Sequence, residues 1–377
     1  MKILLFANTD WYLYNFRLGL AQALRARGDE VVLVSPAGTY ASRLQELGFR
    51  WVCFPLRRGG LNPLNEILTI ARLFSLYLRE KPDLVHQFTV KCVLYGSLVG
   101  RLLGIRRMVN SVTGLGYVFM QGSGAPRWLR GIILLFYRLV LRYTWVIFQN
   151  PDDRSVFLGN HLVDPGRVAL IRGSGVDGKR FVPGPEPEGI PVVMLPARLL
   201  WDKGVGEFVE AAQRLLADGL RARFVLVGDS DPENPAAVPV AQVRDWQKKG
   251  MIEWWGWHED MDMIYSQAHI VCLPSYREGL PKSLIEAAAC GRPIVACDVP
   301  GCREIVRTGE NGFLVPARDV SALADSLKRL IQDVDMRRAM GICGRKIAEN
   351  EFSMDLIISQ TLNVYQSSAG SDAEKEP

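Results

Sequence analysis

Short apolar runs of strand length alternate with stretches of helical periodicity from one end of this 377-residue chain to the other. In the first half the strand-type runs are Lys2–Ala7, Glu30–Ser35, Trp51–Pro55, Asp83–Phe88, Arg107–Val112, Trp145–Gln149 and Val168–Arg172. Alternation of this kind predicts parallel sheets with helices on both faces. The segment Phe181–Gly189 carries three prolines in nine residues and reads as a linker. Beyond it the alternation restarts, with strands expected at Pro191–Ala197, Arg223–Val227, Ile252–Gly256, Ile270–Pro274, Pro293–Cys297 and Gly312–Val315. The pattern therefore predicts two doubly wound α/β domains, 1–180 and 181–352. An amphipathic helix within 353–368 is expected to pack back across the domain junction, and 369–377 reads as a disordered tail. Two such domains direct the C-terminal ends of their strands at one interdomain cleft, where open α/β sheets bind ligands. The first strand is followed by Asn8-Thr9-Asp10-Trp11-Tyr12 and not by G-x-G-x-x-G, which argues against a nicotinamide or flavin enzyme.

Composition adds exclusions. With 48% apolar and 23% charged residues the chain is of ordinary globular type. Arginine interrupts every apolar run before it reaches the roughly 18–20 residues of a spanning helix. Met1–Asn8 is too short an apolar stretch for a signal peptide and reads as a buried strand. The seven cysteines (53, 92, 272, 290, 297, 302 and 343) include no C-x-x-C pair, so neither a disulfide framework nor a zinc site is expected, and a reducing cytoplasm fits.

The net charge of +5 conceals an uneven distribution. Residues 1–180 carry 24 Lys and Arg against 11 Asp and Glu, whereas 181–377 carry 21 against 29. From Leu84 to Pro151 there is no acidic residue, yet Lys91, Arg101, Arg106, Arg107, Arg127, Arg130, Arg138 and Arg142 all fall there. Such a field attracts an anionic partner. Residues 128–142 have helical periodicity. At about 100° per residue, with Arg130 at zero, Arg127 lies near 60°, Arg138 near 80° and Arg142 near 120°. Four arginines on one face of a helix rich in Ile, Leu, Phe and Tyr predict contact with an anionic membrane surface. No nucleic-acid motif accompanies the basic stretch, so nucleic acid is not the expected partner.

The most informative segment is Pro274-Ser275-Tyr276-Arg277-Glu278-Gly279-Leu280-Pro281-Lys282-Ser283-Leu284-Ile285-Glu286. A strand runs into a Gly/Pro loop and then a helix. The N–H groups from about Leu280 to Leu284 and the helix dipole form a seat for an anion such as a diphosphate. Glu278 and Glu286 are eight residues apart, about 12 Å of rise if the intervening chain is helical, which exceeds the roughly 5–9.5 Å of a glycosidase pair. They read instead as hydroxyl-binding acids, Glu278 on a sugar and Glu286 on a ribose. Arg198 and Lys203, in Ala197-Arg198-Leu199-Leu200-Trp201-Asp202-Lys203-Gly204, follow a strand directly and can neutralise a departing diphosphate.

On the E-x7-E pair Glu278 and Glu286, and on Arg198 with Lys203, the chain resembles the retaining glycosyltransferases of family 4. The resemblance covers residues 1 to about 365 and implies the GT-B fold of two facing Rossmann-like domains. His86-Gln87-Phe88-Thr89-Val90-Lys91 and Asn110-Ser111-Val112-Thr113-Gly114-Leu115-Gly116-Tyr117 are similar to the capsular-polysaccharide and lipid-linked-oligosaccharide branch. What the resemblance implies is a retaining, metal-independent hexosyl or N-acetylhexosaminyl transferase, without a cofactor. It would act from a nucleotide diphosphate sugar, a UDP-sugar by expectation, onto a polyprenyl-diphosphate-linked saccharide, at the inner face of the cytoplasmic membrane. Arg198, Lys203 and Glu278 would be catalytic; Gly279, Leu280, Pro281, Lys282, Ser283, Leu284 and Glu286 would bind donor; Arg17, His86, Lys91 and Thr113 would serve the acceptor. Many relatives carry T-x-H-G where this chain has Ser111-Val112-Thr113-Gly114, so that histidine's role does not transfer. A Gly-Gly loop of relatives is replaced by Asn8–Arg17. His86, alone at a strand end, reads first as a satisfied structural residue and only second as a catalytic one, and Arg17 reads equally as serving the acceptor's phosphate or as capping a helix face. Asp229-Ser230-Asp231 matches the metal-binding D-x-D of the other major glycosyltransferase architecture, but opens a turn-forming loop and reads as turn chemistry. Four scattered histidines predict no metal site. The alternatives are a nucleotide-sugar epimerase of the same fold and a non-catalytic binder of lipid-linked sugars.

Overall fold

The computed structural model describes residues 1–57, 62–114, 127–232 and 234–370, with the side chains of 127–130 and 370 outside that description. The chain forms two compact units, Met1–Ser174 together with the residues from Ile357 on, and Gly175–Leu356. The division at Ser174/Gly175 comes before the proline-rich linker, because Phe181 is buried in the second unit's core.

The first unit carries β1 (Lys2–Phe6), α1 (Asp10–Tyr12), a π-helical turn (Leu13–Arg17), α2 (Leu18–Ala26), β2 (Glu30–Ser35), α3 (Ala41–Glu46) and β3 (Arg50–Cys53). There follow α4 (Pro63–Glu80), β4 (Leu84–Phe88), α5 (Val90–Leu102), β5 (Arg107–Val112), α6 (Arg127–Leu141), β6 (Trp145–Phe148), α7 (Pro151–Gly159) and β7 (Val168–Leu170). All pairings are parallel, in the order β3-β2-β1-β4-β5-β6-β7. The strands read as nearly unbroken apolar runs because helices cover both faces. Successive side chains alternate between the two layers: Ile3 and Leu5 meet Leu20, Leu24 and Leu44, whereas Leu4 and Phe6 meet Leu73, Leu76 and Cys92.

The second unit contains β8 (Val192–Pro196), α8 (Val205–Ala217), β9 (Arg223–Val227), α9 (Val240–Lys248), β10 (Glu253–Gly256), α10 (Met261–Ser266) and β11 (Ile270–Leu273). It continues with α11 (Lys282–Ala289), β12 (Ile294–Cys297), β13 (Gly312–Val315), α12 (Val320–Gln332) and α13 (Val334–Glu351). Its parallel sheet runs β10-β9-β8-β11-β12-β13. Each of the thirteen strands among the described residues falls within or one residue beside a run expected from the sequence, and the two doubly wound sheets are those expected. In each sheet the order reverses once, at β1/β4 and at β8/β11, which are the switch points where doubly wound sheets take their ligands.

Helix α14 (Met354–Gly370) leaves the second unit at Leu356, and its Ile357, Val364 and Tyr365 join the first unit's core. It extends through Gly370, two residues into the stretch expected to be a disordered tail; 371–377 lie outside the described residues. Among the described residues no helix is long and apolar enough to cross a membrane.

Candidate active site

In the second unit four loops at the C-terminal strand ends are fastened together by backbone contacts that only glycine permits. Gly204 has φ +73°, and a Cβ there would collide with the carbonyl of Pro274. Gly228, at φ +132°, would strike the carbonyl of Ala197, and Gly301, at φ +83°, would press on the carbonyls of Glu278 and Gly279. Asp202 O then accepts from Tyr276 N at 2.9 Å and from Ser275 Oγ at 3.1 Å, tying the Arg198–Gly204 loop to the Glu278 loop. Tyr276 is held in turn by Glu207, to which its hydroxyl donates at 2.5 Å, and by Arg318 stacked 4.5 Å from its ring. Burial first, then the Glu207 hydrogen bond and charge, push the Tyr276 hydroxyl up to about 12, so it stays protonated as a donor.

This scaffold brings Lys203 Nζ to 2.5 Å from Glu278 Oε1, both side chains more than four-fifths buried. Arg198 Nη1 lies 3.2 Å from Asp231 Oδ2 and remains largely exposed. Both cations expected to hold a diphosphate are thus charged partners of carboxylates, and Asp231 serves Arg198 in addition to shaping its turn. Glu286 projects from α11 and accepts from Tyr265 Oη at 3.2 Å, with Lys282 Nζ at 3.3 Å. Tyr265 also donates to Ser283 O, and burial ahead of the Glu286 charge keeps its hydroxyl protonated.

Two expectations need correction. Helix α11 starts at Lys282, not Leu280, so 278–281 is a loop and the 12 Å separation computed for a helix does not apply. Leu280 and Leu284 are core side chains, and the N–H of Leu284 is bonded to Pro281 O at 3.1 Å, so the anion-facing turn narrows to Pro281–Ser283 with Gly279 ahead of it. Sequence reasoning missed Glu207, Tyr265, Arg318 and the fastening glycines Gly228 and Gly301. Only the glycines left a signal, Gly228 directly after the apolar run of β9 and Gly301 four residues after that of β12.

In the first unit the Asn8–Arg17 segment is anchored by Asp10, whose carboxylate accepts from Trp11 N, Tyr40 N and Ala41 N at 2.8–2.9 Å. The π-helical turn that follows aims Arg17 inward. Arg17 is 5% exposed as a residue; its guanidinium lies 4.3 Å from the centroid of Phe88, and among the described residues Nη2 bonds Tyr12 Oη at 2.8 Å while Nε has no partner. No carboxylate pairs with it among the described residues. A buried cation in this state invites an anion. It follows β1 and stands over the last residue of β4, at the switch point. There Thr89 opens α5 with φ +71°, a strained value for a β-branched residue, and its Oγ1 is buried without a partner.

His86 is a structural residue: it is fully buried, with Nδ1 2.6 Å from Tyr365 Oη and Nε2 2.7 Å from Ser111 Oγ. The expectation that it meets the acceptor is corrected, since neither ring nitrogen is open. Burial and then the Arg17 charge hold its pKa well below the ordinary value. The unfolded chain therefore takes up the proton first, so stability is full above about pH 6.5 and falls as pH drops toward the depressed folded value, by about 1.4 kcal/mol per pH unit. Urea unfolding followed between pH 7 and 5 is expected to lose this slope in His86→Asn; an unchanged slope would mean that the fold accommodates the imidazolium. His269, also depressed by burial, contributes a separate slope from the second unit.

Lys91 is bound to Glu66 at 2.7 Å, and Tyr95 donates to the same carboxylate. Burial alone would raise the Glu66 pKa, but these two hydrogen bonds and the Lys91 charge hold it low, so Lys91 fastens α5 to α4. Thr113 is half-buried just past β5, and Leu115, Gly116 and Tyr117 lie outside the described residues. Arg138 on α6 and Arg142 just past its end are exposed; the side chains of Arg127 and Arg130 lie outside the described residues. Among the described residues no group of three or more His, Cys, Asp or Glu could hold a metal ion.

Residues 2–150 match the family described as glycosyl transferase 4-like, and residues 190–333 match glycosyl transferases group 1. The chain is 27% identical over 350 residues to the N,N'-diacetylbacillosaminyl-diphospho-undecaprenol alpha-1,3-N-acetylgalactosaminyltransferase of Campylobacter jejuni, covering 89% of this chain and 91% of that protein. It is 24% identical over 315 residues to the UDP-Gal:alpha-D-GlcNAc-diphosphoundecaprenol alpha-1,3-galactosyltransferase of Escherichia coli, covering 80% of each. Among solved structures, HepE of Anabaena in complex with UDP-glucose superposes with a TM-score of 0.78 at 20% identity, over 97% of this chain and 100% of that one.

Proposed function

Because the chain belongs to the family 4 glycosyltransferases of GT-B fold, we propose that it moves a hexosyl or N-acetylhexosaminyl unit from a UDP-sugar to a polyprenyl-diphosphate-linked saccharide, with retention of anomeric configuration and without a metal ion. The observation that carries the donor half is the Lys203–Glu278 pair held beside Arg198 and the α11 turn. The donor's diphosphate replaces the carboxylates as partner of Lys203 and Arg198. Glu278, released, accepts from the sugar hydroxyls, and Glu286 accepts from the ribose. As the bond from the anomeric carbon to the phosphate oxygen breaks, charge grows on the diphosphate, and the two cations stabilise it most in the transition state. The acceptor hydroxyl attacks from the same face and gives its proton to the departing phosphate oxygen. The products are the extended saccharide and UDP.

The acceptor half rests on Arg17, whose buried guanidinium suits the acceptor's diphosphate, and on the names of the two relatives, both acting on undecaprenyl-diphosphate-linked sugars. A lipid acceptor stays in a bilayer, which calls for peripheral docking on its cytoplasmic face. In support, α4 exposes Leu64, Ile67 and Leu68, and α6 exposes Ile132, Leu135 and Leu139 beside Arg138 and Arg142.

The test is a donor screen with an undecaprenyl-diphosphate-linked saccharide, scored for extended lipid-linked product and for the anomeric configuration of the new linkage. Turnover is expected with a UDP-sugar and is expected to persist in EDTA. Complete loss in EDTA, restored by magnesium or manganese, would reject the metal-independent reading. A new free UDP-sugar formed without acceptor would make the protein an epimerase.

A further inference from the structure

The basic residues of the first unit do more than line a helix face. Where β6 and β7 begin, at the edge of the sheet opposite the Arg17 end, a pocket of about 440 Å³ is lined by Arg138, Arg142, Tyr143, His161, Asp164 and Arg167 among others. Arginines at the end of a helix commonly answer its last carbonyls. Here that work is already done by other groups. Arg101 Nη1 donates to Leu139 O at 2.7 Å, Thr144 donates to Leu141 O at 3.0 Å through both its N–H and its hydroxyl, and Arg167 Nη1 donates to Tyr143 O at 3.0 Å. Arg138 and Arg142 are therefore surplus to capping, and among the described residues neither has a carboxylate partner. The pocket's one acid, Asp164, is engaged by Gly166 N at 2.9 Å and stands 3.8 Å from Arg167 Nε, which leaves the cavity strongly cationic.

The surroundings select among anions. At about 100° per residue, Arg138, Leu135, Leu139 and Ile132 fall within an arc of roughly 120° on α6, and Arg142 follows its last residue. The three aliphatic side chains are 54–59% exposed. Tyr143 stands half-exposed between Arg101 and Arg142, whose guanidinium carbons lie 4.9 and 5.8 Å from its ring centroid. A phosphate seat flanked by exposed aliphatic chains and an aromatic ring matches a glycerophospholipid, with its phosphate in the pocket and its acyl region against Leu135 and Leu139. We infer that this pocket binds the phosphate headgroup of an anionic phospholipid, an inference that rests on the membrane-docking part of the function proposed above.

The experiment measures sedimentation of the full chain with phosphatidylcholine vesicles containing phosphatidylglycerol, and with vesicles in which an equal charge of oleate replaces it. The parent is expected to prefer the phosphatidylglycerol vesicles. Arg142→Gln/Arg167→Gln is expected to weaken that binding on the order of tenfold, whereas the charge-matched Arg221→Gln/Arg244→Gln in the second unit leaves it unchanged. Because Arg167 also supports Tyr143 O, Arg142→Gln alone, whose side chain among the described residues makes only a ring contact with Tyr143, is measured beside it and is expected to lose several-fold with an unaltered melting profile. Equal binding of parent and double variant, or no preference for phosphatidylglycerol over oleate, would overturn the pocket while leaving docking intact. A parent that binds neither vesicle would overturn the docking reading itself. Saturable binding of glycerol 1-phosphate without vesicles, with no competition against them, would identify a free phosphate as the ligand and overturn the lipid assignment.

Discussion

Lys203→Ala is expected to lower kcat by on the order of 10²–10³, the range found for removal of one preorganised charge stabiliser, in a protein that still folds but melts earlier than the parent because Glu278 loses its buried partner. The argument begins with the pair itself. Lys203 and Glu278 are 2.5 Å apart and mostly buried, so removing the lysine both subtracts a cation from the diphosphate and leaves Glu278 with an uncompensated charge near the same phosphate. Ground-state affinity for the donor should fall less than turnover, because the diphosphate's charge is greatest as it departs. Steady-state kinetics on the variant, with UDP binding measured separately, check this. Near-normal turnover in a folded Lys203→Ala protein would remove Lys203 from the mechanism.

Gly204→Ala is expected to be as damaging, by a different route. The residue sits in the left-handed region, and its missing Cβ is what lets the Lys203 loop touch the backbone of Pro274. A methyl group there meets a carbonyl oxygen and its carbon, which cannot move without dragging the Glu278 loop along. The expected loss of stability is roughly 2–4 kcal/mol, with turnover falling at least as far as in Lys203→Ala. Gly219→Ala supplies the comparison. Its φ is nearly the same, +79°, but nothing lies within 4 Å of the added Cβ, so only the conformational cost of about 1 kcal/mol should register in chemical denaturation. If both variants melt alike, close approach at Gly204 is not what holds the two loops together.

The sheets were legible because their strands are buried on both faces and read as short apolar runs bounded by polar or turn-forming residues. The separation of the chemistry was not. Lys203 and Glu278 could each be named from local context, but their pairing joins residues 75 apart in sequence and depends on Gly204 and Ser275, whose roles exist only once β8 and β11 lie side by side. The start of α11 was misjudged by two residues because Leu280 and Pro281 continue the apolar periodicity while the backbone is still extended at Pro281. At its strand end His86 was a candidate for the acceptor; the partner that makes it structural, Tyr365, is 279 residues away. Arg17 shows the converse difficulty. Arginine is ordinarily read as a surface residue, and only the π-helical turn and the rings of Tyr12 and Phe88 turn it inward.

The path of α14 sets an order of events during synthesis. Residues 175–356 form one unbroken unit and can close as soon as they have left the ribosome, but the first unit, although made earlier, lacks Ile357, Val364 and Tyr365 until the last helix emerges. Until then the sheet face formed by Ile3, Leu5, Leu33 and Leu84 has no cover from α14, and His86 has no partner on Nδ1. The N-terminal half of the nascent chain must wait, partly open, for its own C-terminus, which makes it the segment most exposed to chaperones and to aggregation and makes premature termination before Tyr365 a defect of the first half of the protein.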